Sequence, residues 1–86
     1  MKIYIVEQIG YDDYGVFGFY STIELARKKL KLVYDEMLPY HQNCEKYEME
    51  LQMINDDLFV FKYQGRVQDE YKVSEVEVIS DINDVK

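Results

Sequence analysis

Only one stretch of this chain has helical periodicity, while two of its strand-like stretches are apolar on both faces. That combination constrains the fold more than any other feature. Residues 2–9 place Ile3, Tyr4, Ile5, Val6 and Ile9 at odd and even positions alike, the pattern of a strand covered on both sides and central in its sheet. Residues 58–63, with Leu58, Phe59, Val60, Phe61 and Tyr63, repeat it. One helix covers one face of a sheet. The other face then has to be closed by curling of the sheet, by a partner or by a second copy.

The remaining elements fall into order along the chain. Residues 10–15, with Gly10, Asp12, Asp13 and Gly15, read as a turn, and 16–20 as a returning strand in which Gly18 marks a bulge or a close backbone approach. Ser21 followed by Glu24 has capping-box spacing. The helix it opens runs to about Leu38, with Ala26, Leu30, Val33 and Met37 on one stripe, Glu24 four residues before Lys28, and Pro39 to kink or stop it. Residues 40–46 read equally as loop or as a short helical turn. Tyr47, Met49, Leu51 and Met53 alternate with Glu48, Glu50 and Gln52, which is the clearest half-buried strand. Asn55-Asp56-Asp57 is turn chemistry. Residues 64–70 read as a polar connection around Gly65. Tyr71 and Val73 are out of phase with Val76 and Val78, which suggests a bulge at Ser74-Glu75. The tail, residues 80–86, is polar and is expected to fray. The expectation is a single α+β domain over residues 1–86 in ββαβββ order, an antiparallel sheet of about five strands with one main helix on one face.

Charge is distributed unevenly. From Tyr47 onward ten acidic residues stand against four basic ones, a balance of −6 out of the chain's −7. Most of the basic residues of the first half cluster on the helix, as Arg27, Lys28, Lys29 and Lys31. These read either as a solvated helix face or as a partner for an acidic strand region, on this chain or on another copy. Such acidity argues against direct binding to nucleic acid or to an anionic membrane surface. No apolar run approaches the roughly 18–20 residues that span a bilayer. A lone cysteine, Cys44, and an N-terminus without a signal-peptide pattern suggest a cytoplasmic protein with a reduced thiol.

Catalytic and metal constellations are thin. His41 and Cys44 are two metal ligands where zinc normally takes four, and no second pair exists. Asp12-Asp13, residues 55–57 and residues 81–84 lack the glycine and distal glutamate of a calcium loop, and their acids suit turns. Nine tyrosines suit strand packing or a protein interface, whereas base stacking would also need a positive groove for phosphates. The four glycines match no phosphate-cradling loop, and one histidine signals no nucleophilic triad. No enzyme, cofactor or metal is expected.

The opening Met1-Lys2-Ile3-Tyr4-Ile5-Val6, the acidic turn, the segment Val16-Phe17-Gly18-Phe19-Tyr20-Ser21-Thr22, the helix with Ala26 and the ending 71–78 resemble a group of small uncharacterised proteins from phages and prophages of low-GC bacteria. The likeness covers about residues 1–34 and 71–78, a fold pattern without catalytic residues, and the segment from Pro39 to Gln68 departs from the shorter members. The resemblance implies a mobile-element setting, in which small acidic proteins often inhibit host enzymes or defence systems.

The functional expectation is a non-enzymatic accessory protein that covers a basic surface on a host protein, in the extreme as a nucleic-acid mimic. The residues expected to carry it are Glu48, Glu50, Asp56, Asp57, Asp69, Glu70, Glu75 and Glu77, with Tyr47 and Tyr71 as anchors. Two alternatives stand beside it: a structural homo-oligomer, in the simplest case a dimer through the open sheet face, and a small-ligand sequestering protein with a pocket between copies.

Overall fold

The computed structural model describes residues 1–10, 13–42 and 48–78, the side chains of residues 41 and 42 excepted. They form five strands and one helix: β1 (Lys2–Gly10), β2 (Tyr14–Tyr20), α1 (Ile23–Gln42), β3 (Met49–Asn55), β4 (Leu58–Tyr63) and β5 (Arg66–Glu77). All strands lie in one antiparallel sheet in the order β2-β1-β5-β4-β3. This is the expected α+β fold in ββαβββ order. The β1–β2 hairpin and the β3–β4–β5 meander are joined along β1 and β5, whose ladder runs without interruption from Lys2↔Glu77 to Gly10↔Asp69. β1 therefore has a neighbour on each side, as its two-sided apolar pattern suggests.

α1 covers one face. Its stripe of Ala26, Leu30 and Val33 is buried against Val6, Leu51, Phe59 and Tyr71, with Met37, Tyr4, Tyr20 and Val73 packed around them. An aromatic row crosses this layer. Phe59 and Tyr71 stack with centroids 4.5 Å apart and planes within 1°, Tyr34 of α1 packs T-shaped against Phe59 with centroids 5.3 Å apart, and Phe17 reaches Tyr71 at 6.0 Å. Phe17 gets there because β2 carries one extra residue opposite Val6/Glu7. That bulge adjoins Gly18, as expected. A Cβ on Gly18 would lie 2.6 Å from the Tyr20 hydroxyl oxygen, so the glycine makes room for a ring that packs on the core.

Several details depart from the sequence expectations. Helix α1 does not stop at Pro39 but includes it and continues to Gln42. The fixed φ of proline is a helical value, so the helix can include it near its end at the cost of one backbone donor. The N-cap is Thr22, whose hydroxyl accepts the Leu25 amide at 3.3 Å, rather than Ser21. Glu24 and Lys28 form no ion pair among the described residues, and the i,i+4 pair present is Lys31–Asp35 at 3.0 Å. The connection expected over 64–70 is only a two-residue turn. Gln64 and Gly65 both have positive φ, 52° and 78°, the conformation that matches the twist of a tight hairpin, so β5 begins at Arg66.

No bulge occurs at Ser74-Glu75, where the sequence pattern suggests one. Tyr71 and Val73 face α1, whereas Val76 lies on the opposite face beside Ile3. The change of phase marks a change in which face is apolar. The bulge of β5 lies at Gln68, where the register with β4 shifts between Phe61 and Lys62. Nothing approaches a Cβ built on Gly65, so Gly65→Ala meets only backbone strain. Its expected cost is about 1–2 kcal/mol, read as a lower urea midpoint with an unchanged slope.

Candidate functional site

The candidate carboxylates come from four places in the sheet, and the fold does not gather them on one surface. Glu48 and Glu50 lie at the start of the β3 edge strand, and Asp56 and Asp57 form the turn at its other end. Asp69 and Glu70 sit in mid-β5 on opposite faces, paired across β4 with Phe61 and Val60. Glu75 and Glu77 lie at the end of β5 beside the N-terminus.

Three of the eight are engaged inside the fold. Asp57 receives the Arg27 Nε at 2.6 Å and Nη2 at 3.2 Å, a two-point pair tying the β3–β4 turn to α1. The guanidinium bond holds the Asp57 carboxyl below its ordinary range and raises Arg27 in turn. The turn is also fixed locally, since the Asp57 amide donates to Asn55 Oδ1 at 2.8 Å and the Asp57 carbonyl accepts the Val73 amide at 2.9 Å. Glu75 pairs with Lys2 and Glu77 with the N-terminal amine, each at 3.2 Å and well exposed, so both contribute little. Glu48, Glu50, Asp56, Asp69 and Glu70 have no ion pair among the described residues.

Tyr47 lies outside the described residues. Tyr71 is a correction: it is 5% exposed, at the centre of the aromatic row, and is core rather than surface. Burial, with Asp69 nearby, pushes its hydroxyl up to about 12, so it remains a neutral phenol. Of the helix cations, Arg27 meets the acidic strand region of its own chain, and Lys31 pairs with Asp35 while lying 4.9 Å from the Tyr34 ring centre. A groove of about 560 Å³ lies beside them, lined by Glu24, Arg27, Lys28, Lys31, Met53 and Asp56.

One polar cluster has no counterpart among the sequence expectations. Glu7 is 8% exposed, on the sheet face turned away from α1. The Tyr14 hydroxyl donates to its Oε2 at 2.6 Å, the Ser74 hydroxyl donates to Oε1 at 2.8 Å, and Lys72 Nζ stands 3.9 Å away. The Tyr14 bond, with Ser74 and Lys72, outweighs burial and holds the Glu7 carboxyl below its ordinary value. The cluster ties β1 to both of its neighbours. The available signal is a single carboxylate inside the apolar run 3–9.

The His41 side chain, Cys44, Asp12 and the 81–84 cluster lie outside what is described. Among the described residues no three His, Cys, Asp or Glu side chains converge as a metal site requires, and no helix is long and apolar enough to cross a membrane. No family model, curated protein or solved structure matches the chain.

Proposed function

We propose that this chain is a non-enzymatic binding protein that covers a basic surface of a partner protein. The observation that carries the reading is the sign of the charge left over between β3 and the middle of β5. Among the described residues, Glu48, Glu50, Asp56, Asp69 and Glu70 form no ion pair, and the cations of the same stretch without one are only Lys62 and Arg66. A net charge of −7 steers a basic partner, and free carboxylates supply the contacts once it arrives. Glu48, Glu50 and Asp56 all belong to the β3 edge and its turn, which supports that edge as the contact surface. A nucleic-acid mimic needs a longer row of charges on one side, and Asp69 and Glu70 point to opposite faces. The reading is therefore a basic protein surface. The mobile-element setting rests on the resemblance of segments 1–34 and 71–78 alone.

The test is affinity capture from host lysate with the wild type and with the triple variant Glu48→Lys, Glu50→Lys, Asp56→Lys, at low and high salt. A protein retained by the wild type at low salt, shed at high salt and not retained by the variant is the expected result. Retention that ignores both salt and charge reversal overturns the reading.

A further inference from the structure

The two edges of the sheet are chemically unlike. β3 carries Glu50 and is flanked by Glu48 and Asp56. β2 consists of Tyr14, Gly15, Val16, Phe17, Gly18, Phe19 and Tyr20, without a charge or a proline, and one of its two sides has no strand beside it among the described residues. Monomeric proteins protect such an edge with charges, prolines or a covering element. β2 has only its bulge, and that bulge turns Phe17 inward toward Tyr71. The outer-face side chains of β2 are left bare: Tyr14 is 64% exposed, Val16 43% and Phe19 65%.

We propose that β2 pairs antiparallel with β2 of a second copy, joining two five-stranded sheets into one. Charge decides the occupant. Two copies of a chain of charge −7 repel wherever carboxylates would meet, as they would along β3, and β2 is the edge along which none meet. A basic partner suits β3, and a copy of the chain itself suits β2.

The register follows from the faces. Tyr14, Val16 and Phe19 share the outer face, and Gly15 and Gly18 share the α1 face. A two-fold axis between Val16 and Phe17 sets Tyr14 against Phe19 of the second copy and Gly15 against its Gly18. The two bulges meet at the axis, where Val16 stands against the inward Phe17, and beyond them outer residues stand against outer residues. This makes two aromatic cross-strand pairs, the kind that stabilise a sheet. The glycine pair leaves the Tyr20 ring over Gly18 undisturbed. The interface is isologous and closes at two copies.

The test is sedimentation equilibrium on the full chain across a wide concentration range, with Phe19→Lys as the disrupting variant and Glu50→Lys on the opposite edge as the control. The expected result is a dimer whose dissociation constant rises by at least about tenfold in Phe19→Lys, because each new ammonium group must give up water against Tyr14 of the second copy, and is unchanged or lower in Glu50→Lys. Amide exchange on the wild type reads the same contact without a variant: the β2 amides that point away from β1 become protected as concentration rises. A chain that stays monomeric with those amides unprotected, or a dimer indifferent to Phe19→Lys, overturns the proposal. Neither result bears on capture of a basic protein through β3, which the Glu48, Glu50 and Asp56 reversals test separately.

Discussion

Phe59→Ala is expected to destabilise the fold by about 3–5 kcal/mol, the usual range for deleting a buried aromatic ring. Phe59 is one of the largest side chains with no exposure. It sits between two rings, stacked on Tyr71 of β5 and in a T-shaped pair with Tyr34 of α1, so it joins the helix to the middle of the sheet. Aromatic pairs of this geometry contribute roughly 0.5–1.5 kcal/mol beyond their buried area. A domain this small has roughly 5–10 kcal/mol in hand, so the variant loses a large share of the total and should unfold in far less urea. Urea unfolding followed by far-UV circular dichroism measures the loss. Leu32→Ala, on the exposed side of α1, is the control and should shift the midpoint far less. Equal losses for the two would mean that Phe59 is not the join between the layers.

The second large effect is on the other face. Glu7→Ala is expected to cost about 2 kcal/mol, because it removes the acceptor of two hydroxyls and the counter-charge of Lys72 in a nearly buried position. The same site gives the fold an acid limb. The Glu7 carboxyl has an ordinary value of 4.5 and is held below it in the folded chain by Tyr14 first, then Ser74 and Lys72. The folded state therefore binds fewer protons than the unfolded state in the window just below 4.5. The stability Glu7 contributes is complete above that pH and is lost as pH falls through the lower folded value. Glu7→Gln removes this titration while preserving shape. The gap between wild type and Glu7→Gln should be widest near neutral pH and should close in acid, as read from urea midpoints across the range. A gap that stays constant with pH would place the effect in packing rather than in charge.

The layers of the fold are legible in the sequence because each rests on a short-range pattern. The stripe of Ala26, Leu30 and Val33 and the alternation of Leu51 and Met53 carry their own period, and the turn at 55–57 carries its own chemistry. What local pattern does not carry is pairing. Arg66 to Glu70 are polar but for Val67 and read as a connection, yet they are strand because Tyr63 and Lys62 on one side and Gly10 and Ile9 on the other supply ladder partners. Tyr71 reads as a surface anchor from its acidic neighbours, and only the sheet order sets it over Phe59. The candidate site suffers in the same way. Nothing near Asp57 in the chain announces Arg27, thirty residues away, and nothing near Glu7 announces Ser74. A reading of the sequence therefore counts carboxylates that belong to the scaffold with those free to meet a partner.

The ladder between β1 and β5 has a consequence for how the molecule comes into being. The first strand pairs with the fifth over nine residues, from Lys2↔Glu77 to Gly10↔Asp69, and the Val78 amide closes on the Met1 carbonyl at 2.7 Å. Between them they hold the two halves of the sheet together. Contacts so distant in sequence form late and slowly, since the loop they close must be ordered before they stabilise it. On the ribosome, the β1–β2 hairpin and α1 emerge long before β5, with Val6 and Leu30 lacking most of their cover. The sheet is completed only when residue 77 has cleared the exit tunnel. Until then the nascent chain holds its uncharged β2 edge open to neighbours, at the very stage when its core has least to protect it.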